Sequence, residues 1–253
     1  MQLFRRSSEQ GLTAYLRLPG RIAYARVDRR VAVPRLLAAG VAAVKGDNWG
    51  EALAQLHGKG PVSLVLKPAD YRLRLLDAPN VPADELKSAV RWQIQDMLDF
   101  HADDGTVDVL EVPHPEHVSH AKQIFASFIE TGGLLTLTLD GELCMARTLG
   151  VNQTVLDIEG PESVLERLTL EIQRSLDHFD RQFGGIPVDR LLLAPMENVE
   201  GLCNGLAGNL ALPVKPLDLA EVLDIAALPE ANALPPHCFH AIGAALRMEE
   251  TKP

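Results

Sequence analysis

Two short stretches gather residues that could do chemistry. "HPEHVSH" sets His114, His117 and His120 three apart, a spacing that can bring imidazoles together on a metal ion. Pro115 disfavours a regular helix through them. No cysteine stands near to complete a ligand set, so a solvated loop is the expectation. In "HCFHAIG", His237 and His240 can share one side of a helix, with Cys238 between them. A Cys–His pair attacks carbonyl groups only when the thiol is activated. A free cysteine in an apolar run ordinarily packs as a small hydrophobe, and core packing is expected here. Asp96, Asp99, Asp103 and Asp104 gather around a helix end. Paired carboxylates can exchange protons or hold a cation, but in a chain acidic throughout they read as a solvated face.

The phosphate-binding loops GxxxxGK[ST] and GxGxxG are missing, as is the GxSxG nucleophile elbow. Gly201, Gly205 and Gly208 in "GLCNGLAG" suit close helix packing. "ETGGLLTLTLDGELCMAR", Glu130 to Arg147, is different in kind. Two glycines lead into a strand, Asp140-Gly141 turns the chain, and a second strand comes after it. It is a β-hairpin whose glycines would let backbone N–H groups approach a phosphate.

The elements that must position these residues belong to a chain of ordinary globular composition. Of 253 residues, 47% are hydrophobic and 23% charged, enough for one large domain or two small ones. A net charge of −10 argues against a nucleic-acid binder, which needs a basic patch to displace counterions. Cys144, Cys203 and Cys238 are odd in number and far apart, which suits a reducing compartment. "MQLFRRSSEQ" has no apolar core after its arginines, so no secretory signal is expected. The run from Leu36 to Val44 is too short to span a bilayer. A cytoplasmic location is expected.

Period-two alternation in "GLTAYLRLPGRIAYARV", broken at Pro19-Gly20, predicts a hairpin. "DNWGEALAQLHG" predicts a short helix, and Val62–Leu66 and Tyr71–Leu76 predict strands. "VPADELKSAVRWQIQDMLDF" predicts one helix with Leu86, Val90, Ile94 and Met97 inward. "TVDVLEV" and "KQIFASFI" predict strands. Pro161 to Phe183 predicts the longest helix, with Leu165, Leu168, Ile172, Leu176, Phe179 and Phe183 on one stripe and Gly184-Gly185 as its stop. Strand "VDRLLLAP", helix "VEGLCNGLAGNL", strand "LPVKPL" and helix "HCFHAIGAALRM" complete an α/β chain in two halves, dividing near residues 126 to 130.

Several segments together resemble the PilM family of actin-like pilus-assembly proteins, closest to its MshI branch. They are "DYRLRLLDAPNVPADELKSAVRWQIQDMLDF", "GLLTLTLDGELCMAR", "LTLEIQRSLDHFDRQFG" with "VDRLLLAP", and "AIGAALR", in the family's order. The resemblance implies an α/β, actin-like (RNase H-like) two-lobed fold: residues 1–126 as a first lobe with a truncated inserted subdomain, 127–253 as the second. It is shortened in the middle, because a βα unit the family has between "KQIFA" and "SFIETGG" is absent. A parallel crossover needs a dozen residues or more, so the short junction must reroute the chain or delete a strand.

The resemblance also implies a site. Gly132, Gly133 and Thr136 fall at the family's second phosphate hairpin, with Glu130 where its ATP binders prefer Asp, and Gly243 falls near the adenosine. The other parts depart from the pattern. The first hairpin reads Leu18-Pro19-Gly20-Arg21, with no carboxylate to orient Mg²⁺, and the adenosine loop reads Ala194-Pro195-Met196-Glu197 in place of glycines. Resemblance and departures together imply a non-enzymatic scaffold that has lost ATPase chemistry and carries no cofactor, ATP and Mg²⁺ being disfavoured. Its implied place is the cytoplasmic face of a bacterial inner membrane, bound to the tail of a PilN-like or MshJ-like membrane protein and to other platform proteins. It would touch the membrane only through that partner. The alternatives are an ATP-binding switch in the same machinery, or a GspL-like secretion platform component.

Overall fold

A computed structural model describes residues 11–46, 48–56, 60–67, 70–110, 112, 122–129, 132–139, 142–159, 161–183, 187–226 and 234–247. Two mixed sheets organise it. In the first, β1 (Leu12–Leu18) and β2 (Arg21–Asp28) form the expected hairpin, closed by pairing of Leu18 with Arg21. Proline fixes φ at the first turn position and Gly20 accepts φ +63° at the second, which is what so tight a turn requires. The apolar run after Pro34 becomes β3 (Arg35–Ala43), antiparallel to β2. Helix α1 (Trp49–Leu56) leads to β4 (Val62–Val65), which lies parallel to β1. The strand order is β3-β2-β1-β4.

Alternation along β1 and β2 divides the residues between two covered faces. Ala14 pairs with Ala25 on one, Tyr15 with Tyr24 on the other. Tyr15 and Ile22 pack with Trp49, Leu53 and Leu56 of α1. The opposite face, with Ala14, Ala25, Val27 and Leu36, is covered by α6 (Cys238–Leu246) through Cys238, Ala241, Ile242 and Ala245. Small residues on both sides let that helix sit close to the strands.

The second sheet has order β7-β6-β5-β8-β9. Strands β5 (Lys122–Ile129), β6 (Gly132–Leu139) and β7 (Glu142–Leu149) form an antiparallel meander, and β8 (Arg190–Leu193) and β9 (Val214–Pro216) add parallel strands beside β5. Asn152 caps the short α3 (Gln153–Ile158), its side-chain oxygen accepting the Val155 N–H at 2.9 Å. The long helix α4 (Pro161–Phe183) and α5 (Val199–Asn209) cover one face. Leu168 and Ile172 of α4 pack with Ala126, Leu135, Leu191, Leu193, Cys203 and Leu206. Phe179 and Phe183, stacked at 4.7 Å, pack with Leu137 and Cys144.

The predicted elements differ from the structure between the two sheets. Residues 71–76 and 106–110 form no strand. Leu73 and Leu75 are half exposed, because an extended segment without a neighbouring strand has no face to bury. The helix predicted from Val81 to Phe100 is α-helical as α2 (Leu86–Gln93), followed by a 3₁₀ turn at Gln95–Met97. Of its expected inward stripe Val90 is buried, whereas Met97 is 54% exposed. The short junction is resolved by fusion: "KQIFA" and "SFI" form the single strand β5. Residues 126 and 127 are neighbours inside it, and α6 of the C-terminal half packs on the first sheet. Among the described residues no helix is long and apolar enough to cross a membrane.

Candidate functional site

The hairpin glycines open β6. Gly132 pairs with Ile129, and Gly133 pairs with Phe128 on one side and Leu149 on the other. Gly133 is buried, and a Cβ added to Gly132 would meet nothing within 4 Å. Thr136 sits mid-strand between Phe125 and Ala146, half buried. The turn residues Glu130 and Thr131, the Asp140-Gly141 turn, the histidines His114, His117 and His120, and the Gly184-Gly185 helix stop lie outside the described residues.

The first hairpin presents Pro19 and Gly20 to solvent, again with open space at the glycine. The Gly20 carbonyl accepts the Val44 N–H at 2.8 Å, tying the turn to the end of β3. Beside it the Arg17 guanidinium lies 4.2 Å from the centre of the Trp49 ring. Cationic residues, Arg17 and Arg21, thus flank the β1–β2 turn.

The loop that the resemblance would place near an adenosine comes after β8. Ala194 is buried and donates its N–H to the Ala126 carbonyl at 2.8 Å, so the loop is anchored on the core strand. Asn198 then takes a left-handed conformation, φ +52°, at the start of α5. Sequence reading missed it; asparagine tolerates that region better than most residues, and this is the signal that could have flagged it. A Cβ at Gly201 would come within 2.6 Å of the Asn198 side-chain oxygen, and one at Gly205 within 2.9 Å of Leu165 on α4. Gly205 therefore permits close helix packing as expected. Gly208 faces open space, and packing does not account for it. Gly243 is also exposed with open space, on the side of α6 away from the sheet core.

The remaining candidates behave as packing and ion-pair residues. Cys238 is fully buried under the first sheet, and burial pushes its thiol up to about 11. Burial, assisted by the nearby His237, pushes His240 down to about 4. Near neutral pH the pair is a thiol and an uncharged imidazole, the wrong protonation states for a Cys–His nucleophile. In the acidic cluster, Asp99 accepts two hydrogen bonds from Arg72, each 3.2 Å, and Asp103 pairs with Arg91 at 3.3 Å. Backbone and Arg72 hydrogen bonds hold the Asp99 carboxyl below its ordinary range. Asp96 and Asp104 lie in the two 3₁₀ turns of the same segment. Among the described residues no group of three His, Cys, Asp or Glu could hold a metal ion.

His240 gives a pH dependence of definite sign. The unfolded chain takes up a proton near pH 6.5, the folded chain only near 4, so in that window the unfolded state binds more protons. Stability is full above about pH 6.5 and falls as pH drops toward 4, by on the order of 3 kcal/mol at the low end. Melting temperatures followed from pH 7 to pH 4.5 should decline, and His240→Gln should flatten that decline.

No protein-family model matches the chain, and no curated protein matches it in sequence. The fold is nonetheless a known one: α/β, actin-like. The solved "PilM-PilN type IV pilus biogenesis complex" contains a chain that superposes with a TM-score of 0.69 at 15% identity, covering 94% of this chain and 98% of that one. A Bacteroides thetaiotaomicron protein described as having an actin-like ATPase fold and unknown function gives a TM-score of 0.40 at 10% identity, over 86% of this chain and 94% of that one. An exopolyphosphatase from Cytophaga hutchinsonii gives 0.39 at 9% identity, over 77% and 69%.

Proposed function

We propose that the chain is a non-enzymatic scaffold of a type IV, MSHA-like pilus assembly platform, of the MshI kind. It works by holding the cytoplasmic tail of a PilN-like or MshJ-like inner-membrane protein, and so sits at the cytoplasmic face of that membrane. The observation that carries this reading is the superposition on the PilM-PilN chain over nearly the whole of both molecules. Leu64 in β4 and Leu66, Leu73, Leu75 and Trp92 between β4 and β5 are 49–79% exposed. Large apolar side chains exposed in this way are what a partner segment would bury. Labelled peptides from the cytoplasmic tails of PilN-like and MshJ-like proteins should bind saturably, measured by fluorescence anisotropy. Leu73→Asp with Leu75→Asp should weaken binding at least tenfold, the equivalent of ~1.4 kcal/mol. Failure of every such tail to bind would remove the reading.

The absence of ATPase chemistry rests on the site's chemistry: a cationic first hairpin and an alanine–proline loop where carboxylate and glycines would serve Mg²⁺ and adenosine. One observation favours a nucleotide switch as a second reading. Gly243 faces open space with no positive φ, so neither packing nor backbone conformation explains why it is glycine. Calorimetry with ATP and Mg²⁺ at millimolar concentration is expected to give no saturable heat and no change in melting temperature. Ligand at ~100 times its dissociation constant would add roughly 2.7 kcal/mol, a shift too large to miss. A shift of that size, abolished by Gly132→Val and Gly133→Val, would establish the switch instead.

A further inference from the structure

The first 80 residues hold 13 of the 24 Lys and Arg but only 6 of the 34 Asp and Glu, so a basic N-terminal third precedes a strongly acidic remainder. Two surfaces concentrate this contrast. The connection from β2 to β3 reads Arg29-Arg30-Val31-Ala32-Val33, with Val31 and Val33 43% and 55% exposed. Asp28 grips Arg30 through two hydrogen bonds of 2.8 and 2.6 Å, and Asp224 holds Arg35 at 2.8 Å, which fixes both ends of the connection. Arg29 forms no ion pair among the described residues. The second surface is an open groove of about 360 Å³ where α4 ends. Leu176, Phe179, Val188 and Leu212 line it, with Asp177 and Asp180 at the rim.

Those two carboxylates are placed against the helix dipole. They occupy the last two turns of α4, where the unsatisfied carbonyls already make the end negative. The end of α5 faces the same groove through Leu210, which adds a second negative terminus. Arg181 donates to the Asp177 backbone carbonyl at 3.1 Å rather than to a rim carboxylate. No ion pair between described residues engages Asp177 or Asp180. A groove that is apolar inside and negative outside selects a cationic segment with short apolar side chains.

We infer that the groove of one copy receives the Arg29–Val33 connection of a second copy, so that the protein associates head to tail. Arg29 meets Asp177 and Asp180, with Arg30 held beside it by Asp28, while Val31 and Val33 cover the apolar lining. The opposite charges of the two parts of the chain orient the encounter in the same sense. The two surfaces differ, so the contact is heterologous and propagates into a chain or ring rather than closing as a two-fold dimer. One loop in one groove is a small interface, and a dissociation constant on the order of 0.1 mM is expected. The inference does not depend on the pilus reading.

Sedimentation velocity and light scattering of the full chain over rising concentration test it. The weight-average mass should climb above the monomer value at low salt, and fall back at ~0.5 M salt, where the Debye length is a few ångström. Arg29→Asp with Arg30→Asp should be monomeric, as should Asp177→Arg with Asp180→Arg. Mixing the two variants should restore association, because the acidic loop of one then fits the basic groove of the other. A monomer at all concentrations up to about 1 mM at low salt would overturn the inference, since the expected affinity lies well below that. Association that both double variants leave intact would overturn it, as would a mixture that stays monomeric.

Discussion

Phe179→Ala is expected to cost about 3–5 kcal/mol, enough to unfold much of the population of a domain of ordinary stability. Phe179 is 2% exposed and stacks on Phe183 at 4.7 Å, and the pair fills the space between α4 and the strands carrying Leu137 and Cys144. Removing the ring leaves a cavity bounded by two elements that cannot close over it without moving. The helix is anchored on the sheet at several other points, through Val164, Leu168 and Ile172, so collapse is resisted. Cavities that cannot collapse are the costly ones. Urea unfolding followed by circular dichroism should show a midpoint shift with little change in slope. Phe179→Leu, which keeps most of the volume, should recover more than half the loss. A loss below about 1 kcal/mol for Phe179→Ala would mean that the ring is not the wedge described.

The second large effect is expected at a residue with no side chain. Gly11 precedes β1 at φ +69°, and a Cβ built there would lie 2.4 Å from the Val27 carbonyl oxygen and 2.9 Å from its carbon. Two penalties combine in Gly11→Ala. The left-handed conformation costs a non-glycine residue roughly 1–2 kcal/mol. The clash is with backbone of β2, in a hairpin whose register is fixed from Leu12↔Val27 to Leu18↔Arg21, so no flexible side chain can yield. The combined cost is on the order of 2–4 kcal/mol. Gly20→Ala shares the positive φ but faces open space, so it should cost only the conformational part. Comparing the two variants by thermal melting separates the clash from the backbone preference. Equal losses would show that β2 does not crowd Gly11.

Both effects concern residues whose type was legible in the sequence while the partners that give them their weight were not. Phe179 and Phe183 were visible on the stripe of α4, and that helix spans the predicted residues. Its period is local, so the chain itself reports which face turns inward. The β1–β2 hairpin was equally legible, because alternation and a Pro-Gly turn carry their own register. The α/β class was legible from elements of this kind, whereas the actin-like form was implied by the resemblance of several segments, in order, to a known family.

The candidate site was less legible. Gly205, Gly208 and Gly243 look alike in sequence; in the fold one meets Leu165 and the other two meet nothing. The trio His237, Cys238 and His240 offered chemistry on paper, but burial of Cys238 against Ala14 and Ala25 makes that stretch part of the core. Nothing in the heptapeptide could announce that the helix would cross to β1 and β2, more than 200 residues earlier. Residues 71–76 and 106–110 failed as strands for a related reason. Their apolar alternation is real, but a strand exists only with a neighbour, and neighbours are set by the whole chain.

The sequence by itself determined the long helix α4, the β1–β2 hairpin and the absence of standard phosphate loops, because propensity, periodicity and turn chemistry act over a few residues. Tertiary structure alone decided that the shortened middle becomes one continuous strand, β5. It also decided that α6 closes the first sheet and that Arg35 finds Asp224, 189 residues away. Those outcomes depend on which surfaces meet, and such contacts form only when distant segments bury each other's apolar faces.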